Sequence, residues 1–333
     1  MSEYSLIVQD LKGRYYSAVF GVVYAVDGVS FSVKKREILG LAGESGCGKS
    51  TLLRLLTGVA EPPLRYEGGN VIIIGNDGRE YNIWQMSGEE LRREVLGKLI
   101  SYIPQSVFDA LDPTQRIRDF MAMTLEERTG VKYSGEEIRK IVGEHFGRLG
   151  LSIDVLDRYP HELSGGMRQR AVIAISTYLK PIVLLLDEPT SALDVSSQKR
   201  LIELLISFHK DRIIDTIIFA SHDITLLRQL CQRIAIMYAG KIVEIANTED
   251  IIYDPLHPYT RGLIESLLPL EETIKKKKIF GIPGAPPILT APPAGCRFHS
   301  RCGQKMDICK IKEPPFIEQD GRFVSCWLYG EER

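Results

Sequence analysis

The sequence has no long apolar run. Its apolar runs, such as residues 71–74 and 182–186, are far shorter than the roughly 20 residues with which a helix crosses a bilayer. The N-terminus carries Glu3 and Asp10 and has no signal-type apolar stretch. We therefore expect a protein of the cytoplasm that does not itself span a membrane.

The sequence also has almost no net charge. Its 42 Lys and Arg residues nearly balance 43 Asp and Glu residues, which leaves a formal charge of -1. Such a chain has no general electrostatic attraction to nucleic acid or to anionic lipid. We therefore expect no nucleic-acid partner. A length of 333 residues is enough for one large domain with an appendage.

Three short apolar runs, at residues 71–74, 182–186 and 217–220, predict strands that are covered on both faces, as in a parallel α/β core. Between about residues 84 and 165 the sequence becomes charged and rich in helix formers, which predicts a helical subdomain inserted into a domain of residues 1–250. From residue 251 to 333 prolines accumulate, which predicts a separate, loop-rich region.

Residues 43–51 form a phosphate-binding pattern. They read G-E-S-G-C-G-K-S-T, after an apolar run at 38–41 and before a helical pattern at 52–56. In such a strand, loop and helix, glycines turn backbone N–H groups toward phosphate oxygens, and the helix N-terminus lies beneath them. Lys49 would reach the β- and γ-phosphates of ATP, and Ser50 would ligate Mg²⁺. The predicted nucleotide contacts of this segment are Gly43, Ser45, Gly46, Cys47, Gly48, Lys49, Ser50 and Thr51.

An acid pair ends another apolar run. Residues 183–186 are followed by Asp187 and Glu188, and a strand would deliver Asp187 to the metal and Glu188 to the γ-phosphate. An attacking water needs an oriented proton acceptor in line with the transferred phosphoryl group. Glu188 is therefore the candidate general base.

Residues 163–170, L-S-G-G-M-R-Q-R, resemble the signature motif of ABC ATPases. Other motifs of that family follow in the expected order: Gln105 resembles the Q-loop glutamine, residues 191–194 the D-loop, and His222 the switch histidine. The resemblance implies an α/β P-loop NTPase of the ABC type that hydrolyses ATP. It also implies that Gln105 joins Ser50 and Asp187 at Mg²⁺, and that His222 contacts the γ-phosphate and orients Glu188.

The signature itself predicts a second anion site, because Ser164 and the N–H groups of Gly165 and Gly166 would open a helix. In the ABC family this site binds the ATP held by a second ABC ATPase subunit. The resemblance therefore implies a head-to-tail pair, usually of two different polypeptides, at the cytoplasmic face of a membrane. It implies two membrane permease subunits as partners, which would dock on Gln105 and the following residues 108–113, and an extracellular solute-binding protein.

The adenine base would need an aromatic side chain near the start of the chain. Tyr16 best matches the position of the family's stacking residue, and Tyr15 is its neighbour.

Four of the six cysteines fall close together near the end of the chain, at Cys296, Cys302, Cys309 and Cys326. Disulfide bonds are rare in the cytoplasm, so the expected location argues against them. The remaining roles for the four cysteines are as ligands of Zn²⁺ or of an iron–sulfur cluster. No pair has the Cys-x2-Cys spacing typical of structural zinc, and the spacing leaves both metals open. Cys47 and Cys231 are expected to be packing residues.

Residues 257–263 and 292–302 resemble the C-terminal extension of the dipeptide and oligopeptide transporter ATPases. In that family the four cysteines are associated with a [4Fe–4S] cluster, and the transported solute is a peptide. Relatives with the same extension carry oligosaccharides or nickel, so both stay open as solutes. Two alternative functions are those of an ABC ATPase that acts on the ribosome or DNA and of the detached ATPase subunit of an exporter.

Overall fold

The structure of the protein is a computed structural model, which describes residues 2–105, 111–191, 193–267 and 281–330. The strands are β1 (Tyr4–Ser17), β2 (Gly21–Lys34), β3 (Ile38–Ala42), β4 (Leu64–Ile74), β5 (Glu80–Asn82), β6 (Ile100–Ile103), β7 (Val183–Asp187), β8 (Thr216–Ala220), β9 (Arg233–Tyr238), β10 (Lys241–Asn247), β11 (Phe316–Gln319) and β12 (Arg322–Ser325). The α-helices are α1 (Lys49–Leu56), α2 (Gly88–Glu90), α3 (Ile117–Thr129), α4 (Gly135–Arg148), α5 (Gly165–Thr177), α6 (Val195–Lys210), α7 (Ile224–Leu230), α8 (Thr248–Tyr253), α9 (Pro258–Leu267) and α10 (Ile308–Ile311). No helix in these ranges is long and apolar enough to span a membrane.

A parallel sheet forms the centre of the fold. Its strand order is β9-β3-β8-β7-β6, and every neighbouring pair is parallel. All five residues of β7 and all five of β8 are buried, because helices cover parallel sheets on both faces. The prediction of a parallel α/β core from the runs at 182–186 and 217–220 is therefore confirmed.

The third apolar run, at residues 71–74, was assigned wrongly to that core. It is the end of β4, in a second, antiparallel sheet of order β2-β1-β4-β5, where Ile73 lies opposite Leu6. An apolar run reports burial and carries no information on strand direction. The inner face of this sheet packs on α1, with Leu52, Leu55 and Ile73 in one hydrophobic cluster.

The stretch from 84 to 165 contains α2, α3 and α4, as its composition predicts. It also contains β6, which pairs with β7 so that Ile103 lies opposite Leu186. Four residues are too few to stand out from the charged, helix-forming sequence around them. This strand ends next to Gln105 and so helps to build the site.

Residue 250 lies within α8, and the residues after it complete that helix and form α9, α10 and the hairpin of β11 and β12. In that hairpin β12 pairs with β10, with Val324 opposite Glu244, so the central sheet continues into this region. The carboxylate of Glu244 is fully buried and accepts hydrogen bonds from the N–H groups of Leu256 and His257, at 2.7 and 2.9 Å. The division of the chain at residue 250 stays a prediction.

Candidate nucleotide-binding site

The phosphate loop, residues 43–49, joins β3 to α1 as predicted. Its backbone has positive φ at Gly43 (152°) and Gly48 (111°). A Cβ at Gly43 would lie 2.1 Å from the carbonyl oxygen of Met237, and one at Gly48 would lie 2.2 Å from that of Ala25. Only glycine fits these two positions, because both the φ angle and the close backbone approach exclude a side chain.

Lys49, the first residue of α1, is buried, and its side chain folds back over the loop. The ammonium group donates to the carbonyl oxygens of Gly43 at 2.8 Å and of Glu44 at 3.3 Å. It also lies 3.9 Å from Oε1 of Glu188. The lysine and the acid pair, 139 positions apart by their numbers, therefore meet as the two motifs predict.

Asp187 is at the end of β7 and is 1% exposed. The hydroxyl of Ser50 donates to its Oδ1 at 3.0 Å, and the hydroxyl of Tyr102 donates to its Oδ2 at 3.0 Å. Burial raises the pKa of Asp187, although both hydrogen bonds lower it. Ser50 and Asp187, two of the predicted Mg²⁺ ligands, thus lie side by side. The contact of Tyr102 was missed, since nothing in the sequence shows that β6 runs beside β7.

Glu188 follows β7 with φ of 44°, and its N–H donates to the carbonyl oxygen of Ala220 at 2.9 Å. This turn carries the side chain to the end of β8, where Nδ1 of His222 lies 3.0 Å from Oε2 of Glu188. The imidazole is largely exposed. Two carboxylate oxygens of one residue therefore face Lys49 and His222 respectively.

Gln105 is described and exposed. Residues 106–110, and with them half of the predicted permease-docking segment 108–113, lie outside the described residues. Ala192, in the segment that resembles the D-loop, also lies outside them.

The signature begins α5 as predicted. Ser164 is the N-cap residue, and its hydroxyl accepts a hydrogen bond from the N–H of Met167 at 3.3 Å. Gly165 and Gly166 form the first turn. These three residues line a surface cavity together with residues of α6, including Arg200. The lining contains none of the phosphate-loop residues, so one chain presents two separate candidate anion sites.

The two neighbouring tyrosines point to opposite faces of β1, because successive side chains alternate along a strand. The hydroxyl of Tyr15 lies 3.1 Å from that of Thr51 in α1. Tyr16 instead donates to Glu67 at 2.8 Å and is 38% exposed. The guanidinium of Arg65 lies over its ring, 5.0 Å from the centroid.

The four cysteines of the C-terminal region line one small cavity. Burial raises the pKa of Cys296 to about 12 and that of Cys326 to about 11. The N–H of Gln304 points at Sγ of Cys302, at 3.4 Å. Even so, across the described ranges no three His, Cys, Asp or Glu side chains lie close enough to hold one metal ion.

A parallel sheet that carries a phosphate loop, an acid pair and a signature helix defines an ATP-binding cassette ATPase. The family description "ABC transporter" matches residues 26–191, and "Oligopeptide/dipeptide transporter, C-terminal region" matches residues 243–309. The sequence is 40% identical over 328 residues to the dipeptide transport ATP-binding protein DppD of Caldanaerobacter subterraneus, with coverage of 98% of this chain and 97% of the relative. It is 38% identical to the oligopeptide transport ATP-binding protein AppF of Bacillus subtilis, with coverage of 96% and 94%.

Solved structures agree with this fold. The dimeric structure of MJ0796, a bacterial ABC transporter cassette, matches with a TM-score of 0.61 and 25% identity, covering 73% of this chain and 98% of that chain. CbiO1 of Clostridium perfringens matches with a TM-score of 0.58 and 26% identity, covering 76% and 92%. The chain therefore belongs to the ATP-binding subunits of ABC transporters, in the family of the dipeptide and oligopeptide transport ATP-binding proteins, and it is an ATPase.

Proposed function

We propose that this ATPase supplies the energy for import of di- or oligopeptides. The observation that carries the proposal is similarity along nearly the whole chain, including residues 243–309, to proteins named for peptide transport. Two permease subunits would form the channel, and an extracellular binding protein would deliver the peptide. The ATPase would then lie at the cytoplasmic face of the membrane.

Reconstitution tests this function. The chain, its permeases and its binding protein in liposomes should take up a labelled dipeptide when ATP is enclosed with the ATPase, and Lys49→Ala should abolish the uptake because it removes the phosphate partner. Uptake of nickel or of an oligosaccharide instead of peptides would assign a different solute. Co-purification with ribosomes or DNA and no permease would contradict the transport function itself.

We further propose that two ATPase subunits act head to tail, with Ser164, Gly165 and Gly166 of each on the ATP of the other. Two separate anion sites on one chain support this arrangement, as does the dimeric form of MJ0796. A second, related polypeptide would be the usual partner. Each ATP would then join two subunits, so that binding and hydrolysis change how the pair associates.

Within each site we assign Glu188 as the general base, since it lies at the strand end that faces Lys49. His222, 3.0 Å from Glu188, would fix the carboxylate and contact the γ-phosphate. The hydroxyl of Ser50, a carboxylate oxygen of Asp187 and the side-chain oxygen of Gln105 fit Mg²⁺, which prefers such oxygen ligands. Held by these residues, Mg²⁺ would offset the negative charge of the phosphates.

For the adenine, we propose Tyr15 in place of Tyr16. Its hydroxyl is beside Thr51 at the start of α1, whereas the Tyr16 ring lies on the other face of β1 against Arg65. We expect Tyr15→Ala to raise the Kd for ATP at least about fivefold, because a stacked aromatic pair contributes about 1 kcal/mol beyond its burial. Tyr16→Ala is the matched control and should leave the Kd within about twofold. Titration of both variants with a fluorescent ATP analogue decides the matter, and the reverse ranking would restore Tyr16.

We also propose that Cys296, Cys302, Cys309 and Cys326 hold a [4Fe–4S] cluster, with Zn²⁺ as the alternative. The four thiols line one small cavity, and an N–H group points at a sulfur, as is common around ligated thiolates. These features support the proposal, and because no three such side chains in the described ranges lie close enough to hold one ion, binding of the centre would have to draw the thiols together. Such a centre would supply the stability that a small region rich in proline lacks.

Protein purified without oxygen should be brown and contain about four irons per chain, as expected for ligation by four cysteines. Cys302→Ser should lose the iron. Cys231→Ser, a buried cysteine of the nucleotide domain, is the matched control and should keep it. Metal and sulfide analysis provides the measurement, and stoichiometric zinc without iron or sulfide would exclude the cluster.

A further inference from the structure

The phosphate loop is in direct contact with the C-terminal region through one acidic side chain. Glu44, the second residue of the loop, points its carboxylate at Arg301. Nη1 of Arg301 donates to Oε2 at 2.8 Å, and Nη2 donates to Oε1 at 3.0 Å. Two parallel bonds of this kind fix both the distance and the orientation of the carboxylate.

Arg301 is itself held firmly. It is 7% exposed, its Nε donates to the carbonyl oxygen of Pro283 at 2.9 Å, and Nη1 also reaches the hydroxyl of Tyr238 at 3.3 Å. The hydrogen bonds to Pro283 and Tyr238 therefore hold the guanidinium in the orientation in which it pairs with Glu44. An arginine fixed in this way loses little further conformational freedom when it binds a carboxylate.

A second contact supports the same loop residue. The N–H of Glu44 donates to the hydroxyl of Tyr259 in α9 at 3.0 Å. The rings of Tyr259, Tyr238 and Phe298 pack together, with centroids 4.5 to 5.4 Å apart, and Phe298 lies between the first two cysteines of the region. The backbone of Glu44 is thus bonded to this aromatic cluster, and its side chain is bonded to Arg301, which contacts Tyr238 of the same cluster.

Arg297 makes a parallel connection. It pairs with Asp27 of β2 and donates to the carbonyl oxygen of Ala239. The next residue, Gly240, donates its N–H to the carbonyl oxygen of Cys47, in the phosphate loop, at 2.8 Å. The cysteine-bearing segment therefore contacts the loop directly through Arg301 and indirectly through Arg297, whose partner Ala239 precedes Gly240.

Glu44 is coupled to the phosphate-binding lysine, since its carbonyl oxygen accepts from Nζ of Lys49 at 3.3 Å. A shift of Glu44 therefore changes the surroundings of Lys49. Its carboxylate would also repel the phosphates of ATP if its charge were unpaired. Arg301 offsets that charge. The arginine side chain is 5% exposed, so it cannot easily turn away from Glu44 toward water.

From these contacts we propose that Arg301 is a positioning residue for ATP binding: it holds the phosphate loop through Glu44, so that the C-terminal region sets the chain's affinity for ATP. The separate region expected from the prolines after residue 250 is, by this proposal, a structural part of the nucleotide site. Disturbing the segment from Cys296 to Cys302 should reach the loop through Arg297 and Arg301. The proposal holds whichever metal the cysteines bind.

Arg301→Gln tests the proposal in the full-length chain. We expect the Kd for the non-hydrolysable analogue AMP-PNP with Mg²⁺, measured by calorimetry, to rise about tenfold, which corresponds to about 1.4 kcal/mol. The KM for ATP should rise similarly, while kcat at saturating ATP stays within about threefold, because the catalytic groups are intact. Arg301→Lys should recover part of the affinity, since it keeps the charge but loses the two-pronged geometry.

Arg322→Gln is the matched control. Arg322 is in the same region and pairs with Asp254 at 3.1 Å, away from the phosphate loop. Its replacement should leave the AMP-PNP Kd within about twofold. An equal loss of affinity in both variants would mean general destabilisation of the region and would overturn the proposal, as would an Arg301→Gln variant whose Kd is unchanged.

Glu44→Gln approaches the pair from the other side and leaves every residue of the C-terminal region in place, so it keeps the test valid if Arg301→Gln fails to fold. It should also raise the AMP-PNP Kd. The double variant should be no weaker than the weaker single variant, since residues that act as a pair are not additive. Independent, additive effects would contradict the pairing. Metal content per chain, measured in every variant, separates this role from loss of whatever the cysteines bind.

Discussion

Glu188→Gln should slow ATP hydrolysis at least about 100-fold, since one positioned general base contributes about 10²–10⁴ to the rate. The amide keeps the size and shape of the side chain, so the hydrogen-bonding geometry near His222 and Lys49 can persist. It cannot accept a proton from water. ATP should therefore still bind, and the ATP-bound pair of subunits should accumulate.

Phosphate release and ATP affinity, measured on the same preparation, separate chemistry from binding. Glu89→Gln is the control, because Glu89 is a highly exposed residue of α2 whose side chain pairs with Arg93 outside the site. It should hydrolyse ATP at the wild-type rate. Hydrolysis by Glu188→Gln at that same rate would remove Glu188 from the role of base.

Lys49→Ala should weaken ATP binding by about 100-fold or more, because it deletes the cation that pairs with the β- and γ-phosphates in enzymes with this loop. The same change removes the bonds from Nζ to the carbonyl oxygens of Gly43 and Glu44. Both losses lower the affinity for ATP. Lys49→Ala should therefore impair ATP binding, whereas Glu188→Gln should impair ATP hydrolysis. One variant loses the ligand, and the other keeps the ligand and loses the reaction.

Calorimetric titration with ATP provides the measurement for Lys49→Ala. Lys199→Ala removes an exposed lysine of α6 that pairs only loosely with Glu203 at 4.0 Å, and it should bind ATP normally. A Lys49→Ala variant with unchanged ATP affinity would show that the loop binds phosphate through its backbone and helix N-terminus alone. The assignment of Lys49 would then fail while the loop remained the binding site.

Local motifs made most of the nucleotide site predictable. Residues 43–51 are contiguous, so the glycines, the lysine and the hydroxyls of the phosphate-binding pattern all belong to one short segment. The acid pair follows a run that has to be a buried strand, and Ser164 begins a helix that its own hydroxyl caps. In each case the chemistry and the local conformation come from the same few residues.

Choices between equivalent neighbours were not predictable. Tyr15 and Tyr16 have the same side chain, and only the pairing of β1 with its neighbours decides which ring faces α1. The apolar run at 71–74 is likewise compatible with a parallel or an antiparallel strand, and only the pairing of β4 with β1 makes it antiparallel. Strand direction and facing depend on pairing partners far along the chain.

The sequence by itself determined that this is an ABC-type ATPase, where its phosphate loop, acid pair and signature lie, and that four cysteines cluster near its end. Only the tertiary structure decided that Tyr102 donates a hydrogen bond to Asp187 and that Arg301 pairs with Glu44, 257 positions away in the sequence. The physical reason is the range of the interactions. A motif is set by bonds among neighbouring residues, whereas an ion pair between distant segments exists only because packing of the sheet and the aromatic cluster brings the two charges together and shields them in part from water.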